Sequence, residues 1–224
     1  MFLLENHWRR KTLSHEGYGR SIKNRVKDLS TAILSPSLVG SRVTSEIFQD
    51  PVHGAIVPEP HEELIINSRA FQRLRRIRQL QSVHFVYPGA NHTRFEHSLG
   101  VMHVAGYFAE KLLEEAANNG FVKASEIPHY IHLVRLWGLT HDMGHGPFSH
   151  TFDVVVLRRY GLNHEKMLLK LLHENRELTS IFKTVEKDVG IDAEQVGLPQ
   201  KVLGKMDRIE RALLYVIKGA YSAD

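Results

Sequence analysis

The run Leu139-Thr140-His141-Asp142-Met143-Gly144-His145-Gly146 limits what this chain can fold into more than any other stretch. Successive side chains of a regular helix point about 100° apart, so an adjacent histidine and aspartate can reach one cation only where a helix is ending. Gly144 and Gly146 supply that ending directly after the pair. A second histidine arrives upstream in Thr93-Arg94-Phe95-Glu96-His97-Ser98. Neutral imidazole with carboxylate binds divalent transition metals and leaves positions open for water. The competing reading, commoner for a lone buried histidine, is a core residue satisfied by backbone partners.

The chain has 224 residues, 42% of them hydrophobic, enough for one sizeable core. No apolar stretch approaches the roughly 18 residues that span a membrane, and Phe2-Leu3-Leu4 is too short for a signal-peptide core, so a cytoplasmic protein is expected. The absence of cysteine excludes disulfides and thiolate sites and leaves nitrogen and oxygen donors for any metal. Eight of the fifteen histidines lie from His92 to His150. The net charge of +4 is uneven: residues 1–28 carry seven Lys/Arg against Glu5, Glu16 and Asp28, and the rest of the chain balances. Such an arm reads as a solvated tail or as a contact for nucleic acid or acidic surfaces, with an organelle transit peptide a weaker third option because of its acidic residues and missing cleavage pattern.

Residues 29–45 are rich in Ser, Pro and Gly and read as a linker, which makes 1–45 a basic arm and places the folded domain at 46–224. Phe48 to Val57 reads as a short hairpin with Pro51 and Gly54 at its turn. Helical periodicity follows. Leu64, Phe71, Leu74 and Ile77 predict a helix over 62–80 with Arg69, Arg73, Arg75, Arg76 and Arg78 on its solvated face. His97, Val101, Ala105, Phe108 and Leu112 share one face of a helix reaching about Ala117, ended by Asn118-Asn119-Gly120. Tyr130, Val134, Trp137 and His141 do the same over 128–142, so two histidines meet inside a helical bundle. Amphipathic stretches over 163–182 and 200–218 complete the core. The end at Gly219-Ala220-Tyr221-Ser222-Ala223-Asp224 reads as a truncation.

Taken together, Ile47 to Gly54, Phe71 to Leu80, Tyr87-Pro88-Gly89-Ala90, Arg94 to Gly100, His141-Asp142 through Asp153, and His164-Glu165 make the chain similar to the HD-domain metal-dependent phosphohydrolases, in particular the deoxynucleoside triphosphate triphosphohydrolases of the sterile-alpha-motif-linked type. The resemblance implies a mostly α HD-domain bundle with a small N-terminal β-hairpin. It implies one divalent transition metal (Fe, Mn, Zn, Ni or Co) on His97, His141, Asp142 and Asp224, with Asp207 as the competing fourth ligand. By the same resemblance Gln79, Arg94 and His164 bind substrate, while His145, His150 and Asp153 take part in the chemistry. His150 and Asp153, three apart at a helix start, look like a carboxylate-oriented imidazole able to protonate a leaving alkoxide. Arg94 and His145 suit phosphate oxygens. His53, His61, His84, His92, His129, His132 and His173 read as structural or surface residues.

The implied reaction converts a deoxynucleoside triphosphate to deoxynucleoside and triphosphate, with a homo-oligomer as the expected assembly. The alternatives are an HD phosphohydrolase acting on another phosphoester, such as a nucleoside monophosphate or cyclic nucleotide, and a non-catalytic nucleotide- or nucleic-acid-binding fragment. Glu46 and Asn67 stand where nucleotide-activated members carry lysine and aspartate, which argues against regulation by a guanine nucleotide, although Gln72 and Arg75 match those members. Deleting residues 1–28 should leave folding and metal uptake unchanged and flatten the salt dependence of any single-stranded nucleic-acid binding, because fewer counterions are released. An unaltered slope in filter binding at several salt concentrations would move that surface to the Arg69–Arg78 segment.

Overall fold

The structure is a computed structural model that describes residues 46–201 and 207–223. The basic arm over 1–45 and Asp224 lie outside the described residues. The hairpin forms as expected: β1 (Phe48–Asp50) and β2 (Gly54–Ile56) pair antiparallel with Gln49 opposite Ala55. Asp50 Oδ1 accepts the backbone N–H groups of Val52 and His53 at 2.8 Å, and Gly54 takes the left-handed φ of 75° that closes the turn.

The helix expected over 62–80 is broken into three pieces. α1 (Pro60–Ile66) stops at Asn67, and Ser68 restarts the chain as α2 (Arg69–Gln72) by accepting the Phe71 N–H on its hydroxyl. A short polar side chain competes for backbone donors in this way, so an Asn-Ser pair ends one helix and caps the next. A 3-10 turn over Arg73–Arg76 follows, and at Ile77 the backbone becomes extended. There the Ile77 carbonyl accepts from Arg94 N, and Gln79 N donates to the His92 carbonyl. Phe71, Leu74 and Ile77 are buried, whereas Leu64 is exposed. The arginines do not form one solvated face either. Arg73 donates to the carbonyls of Met143 and His145, and Arg75 stacks 3.5 Å over the Phe95 ring.

α3 (Arg94–Asn118) and α4 (Ile127–Thr140) form the centre of the bundle and pack on each other more extensively than any other pair. The N–H and hydroxyl of Thr93 both donate to Glu96, which fixes where α3 begins. Its buried stripe runs through Val101, Met102, Ala105, Ala109 and Leu113, while Phe108 and Leu112 are exposed. One i+3 step in the expected pattern rotated those two off the face that α4 covers. Trp137 is buried on α4 and donates to the Gln195 carbonyl.

α5 (His150–Val155) is short. The expected 163–182 helix is two, α6 (His164–Glu174) and α7 (Arg176–Val189), because Asn175 ends the first and accepts Leu178 N–H to cap the second. The stretch expected at 200–218 also divides between α8 (Ala193–Lys201) and α9 (Arg208–Ala223), the latter packed on α3 and α4. Asp207 caps α9 by accepting Glu210 N–H, and it accepts the Tyr130 hydroxyl.

Gly138 sets how closely α3 and α4 approach. A Cβ there would sit 3.0 Å from Met102 Cα and 3.1 Å from its nitrogen, backbone atoms that cannot swing aside. Gly138→Ala gains about 1 kcal/mol of helix propensity but overpacks at about 1–3 kcal/mol, so a net loss of up to ~2 kcal/mol is expected in urea denaturation. A gain in stability would show that the two helices can part without cost.

Candidate metal centre

Three expected ligands converge. His97 lies one residue past the first turn of α3, and His141 is the C-cap of α4, still helical at φ −52° and ψ −36°. Beyond it the chain tightens, with Met143 N donating to Thr140 O and His145 N to Asp142 O, and this swings Asp142 to the same side as His141. The two imidazole Nε2 atoms lie 3.2 Å apart. Asp142 Oδ2 is 3.7 Å from His97 Nε2, and Asp142 Oδ1 is 3.4 Å from His141 Nε2.

Two of these separations fit one cation directly, and the third, 3.7 Å, is within a small side-chain movement of it. Donors bound at about 2.1 Å in four- to six-coordinate geometry lie roughly 3.0–3.4 Å apart. His141 Nδ1 is 2.7 Å from the Gly138 carbonyl; a carbonyl only accepts, so Nδ1 donates there and Nε2 is the ring nitrogen left to face the cluster. All three residues are buried. Asp224, the expected fourth ligand, lies outside the described residues.

Asp142 is held from several sides. Arg94, 2% exposed, donates through one Nη to Asp142 Oδ2, and its Nε reaches Ser149 Oγ at 2.9 Å. Burial would push the Asp142 carboxyl up, but His141, Arg94 and His145 outweigh it and hold the group well below its ordinary range, ionised. Arg94, expected on phosphate, is thus placed on the carboxylate.

A second cluster adjoins the first. His145 Nε2 is 3.5 Å from Asp142 Oδ1, and its Nδ1 is 3.8 Å from Asp153 Oδ1. The His145 and His164 rings stack with centroids 3.9 Å apart. Burial, joined by the repulsion of Arg94, His164 and His150, pushes His145 down to about 2 against the pull of Asp142, so its ring is neutral. His145 Nδ1 and Asp153 Oδ1 are buried and carry no hydrogen bond. Asp153 orients His164 rather than His150: its Oδ2 bonds His164 Nδ1, whereas His150 Nδ1 stands 3.9 Å away. His150 is 62% exposed, and burial with Arg94 and His164 nearby lowers its pKa.

The reason is a close approach that spacing does not reveal. Gly144 faces the start of α6, where a Cβ would lie 1.8 Å from the His164 carbonyl oxygen. Only glycine admits α6 here, and with it His164. Gln79 leaves its Oε1 buried without a hydrogen bond, on the strap tied to α3 by the Arg78–Thr93 bridge.

Two residues escaped the sequence reading. Arg73 braces the carbonyls of the turn after His141, although the Phe71–Leu80 motif contained it. Ser149, fully buried, takes φ 50° and ψ −125° directly after Phe148 at φ 61°. Such backbone costs on the order of 1–3 kcal/mol per residue and persists only when over-determined. The Ser149 hydroxyl supplies that determination, donating to Arg78 O at 2.9 Å and accepting from Arg94.

Comparison with known proteins gives the assembly its family. The HD domain model matches residues 94–212, more than half of the chain. The chain belongs to the HD-domain family. Deoxynucleoside triphosphate triphosphohydrolase SAMHD1 of Gallus gallus is 40% identical over 165 residues, covering 69% of this chain and 26% of that protein. The Homo sapiens protein of the same name is 46% identical over 110 residues, 49% of this chain and 17% of that one. The chain therefore spans about a quarter or less of the length of these HD-domain relatives. A crystal structure of a hypothetical protein from Aquifex aeolicus is similar with a TM-score of 0.61 at 33% identity, covering 80% of this chain and 44% of that one. HD domains are metal-dependent, and the His97, His141 and Asp142 donor set agrees with that.

Ser149→Ala would strip the buried Arg94 of an acceptor and Arg78 of a donor while keeping the strained backbone. Stability should fall by about 1–3 kcal/mol, read by chemical denaturation. An unchanged midpoint would mean that the hydroxyl does not hold the turn.

Proposed function

We propose that the protein hydrolyses a deoxynucleoside triphosphate to deoxynucleoside and triphosphate at the His97–His141–Asp142 centre. The observation that carries this reading is the pairing of two ring nitrogens 3.2 Å apart and an ionised carboxylate with a second, imidazole-rich cluster beside them. Its likeness to the triphosphohydrolases named above supplies the substrate class. His97, His141 and Asp142, with Asp224, hold the metal. A divalent transition ion on such donors supplies an acidified water and a Lewis acid for phosphoryl oxygens.

In the reaction a water oxygen bonds to the α-phosphorus, the bond from that phosphorus to the 5′ oxygen breaks, and the departing oxygen takes up a proton. His150, the most exposed imidazole of the group, delivers that proton, and the incoming anionic phosphates oppose the burial and the cationic repulsion that lower its pKa. His145 points its neutral ring between Asp142 and Asp153 and offers one donor to a phosphate oxygen. Asp153 keeps His164 oriented beside His145. Gln79 presents its side-chain amide to substrate, while Arg94 keeps Asp142 charged and positioned and lends positive potential to the phosphates.

The reading extends to a basic arm over 1–45 ahead of an HD domain over 46–224, weak nucleic-acid contact through that arm, a homo-oligomeric assembly and a cytoplasmic setting. No helix among the described residues is long and apolar enough to cross a membrane.

His141→Ala should abolish metal uptake in elemental analysis of the purified protein; full retention would misplace the centre. His150→Ala should keep the metal and lower turnover about 10² or more, whereas loss of metal would make His150 a ligand. Chromatography of the products decides the substrate reading, since nucleoside diphosphate with orthophosphate would place the attack on a different phosphorus.

A further inference from the structure

Away from the HD centre, the start of α1 with the residue before it and the middle of α4 bring together Glu59, His61 and His132. A donor atom from each lies within 4.8 Å of the other two. Glu59 Oε2 is 3.3 Å from His132 Nδ1 and 3.9 Å from His61 Nδ1. The two rings meet edge to face with centroids 5.1 Å apart. None of the three belongs to the site described above.

Protein partners leave this cluster incomplete. His61 is 3% exposed, and while its Nδ1 is the nitrogen 3.9 Å from Glu59, its Nε2 is buried without a hydrogen bond; His132 Nδ1, 3.3 Å from Glu59 Oε2, is likewise buried without a hydrogen bond. Buried polar atoms are ordinarily partnered, and an orphaned pair in one place calls for a ligand. The donor types point to the kind of ligand. Arg135 is held by Glu62 through two 2.6 Å hydrogen bonds, Nε to Oε1 and Nη2 to Oε2. Glu59, which also forms a capping box with Glu62 at the start of α1, adds one carboxylate oxygen to the two imidazoles.

We infer that Glu59, His61 and His132 form a second divalent-metal site, of the kind that takes Zn2+ or Co2+ on two imidazoles and a carboxylate with water completing the shell. Donors around a four-coordinate ion at about 2.0–2.1 Å lie roughly 3.3–3.4 Å apart, close to the Glu59–His132 separation and within a small side-chain movement for His61. Glu59 is the partly exposed member, with 41% of its side chain accessible, and gives the ion its path in. The site is structural. It ties the connection between β2 and α1 to α4, the helix that ends in His141, so an ion bound there fastens the outer strap of the domain to the element that presents the HD pair.

The test uses the 224-residue chain stripped of metal with a chelator and titrated with Zn2+ or Co2+. Two equivalents should bind per chain, and the second should raise the melting temperature, because binding to the folded state alone stabilises it. His132→Gln should retain the first equivalent and bind the second at least about tenfold more weakly, with the Zn2+-dependent rise in melting temperature lost. His141→Ala should do the reverse and spare the second. Glu59→Gln, at a solvent-facing position, gives the same answer as His132→Gln should that variant fold poorly without metal. A second equivalent bound with unchanged affinity in both His132→Gln and Glu59→Gln would overturn the assignment, as would a wild-type chain that takes one equivalent and loses it in His141→Ala.

Discussion

The Arg94–Asp142 ion pair is the interaction on which the centre depends. Both side chains are almost wholly removed from water, and breaking a buried pair by removing one partner costs about 3–5 kcal/mol because the other charge is left uncompensated. The pair joins the first residue of α3 to the turn after α4. It therefore fixes the relative register of His97 and His141, which sit on those same two elements. Asp142 spends one oxygen on Arg94 and His97 and the other on His141 and His145, so one carboxylate sets the spacing of every donor around it.

Close backbone approaches make that arrangement possible. Gly138 lets α4 lie against Met102 of α3, and the Gly138 carbonyl then fixes the His141 tautomer from within its own helix. Gly144 admits the start of α6 and brings His164 onto His145 and Asp153. Between them, the chain from Phe148 to Ser149 runs through two consecutive left-handed residues and is held by hydroxyl and guanidinium contacts. Strain there is coupled to Arg94, and through Arg94 to Asp142. The strained turn and the candidate metal centre are thus one mechanical unit.

The Glu59–His61–His132 cluster extends that logic outward. α4 carries His132 near its middle and His141 at its end, with Arg135 between them locked to Glu62 of α1. An element braced to the outer strap at one point and to α3 at another holds its terminal residues with little freedom, and a metal centre needs that rigidity in its supporting shell.

The sequence by itself determined the helical bundle, the hairpin, the start of α3 and the end of α4, because periodicity, a capping residue pair and turn glycines act locally. It also pointed to His97, His141 and Asp142 as neighbours, since an adjacent His and Asp at a helix end share one side and His97 opened a face that had to turn inward. Tertiary structure decided the rest. The 62–80 segment read as one helix because its apolar spacing fits one; Ser68 capping and pairing of Ile77 and Gln79 with the segment before α3 won, and neither is visible in a periodic pattern. His150 and Asp153 looked paired by their i, i+3 spacing, yet Asp153 bonds His164, eleven residues on, because Gly144 lets α6 approach. His61 and His132 read as unremarkable residues 71 positions apart, and only the tertiary fold, which also joins Arg135 of α4 to Glu62 of α1, placed them with Glu59. Long-range contacts are set by which surfaces can close on each other, a property of shape that local spacing does not carry.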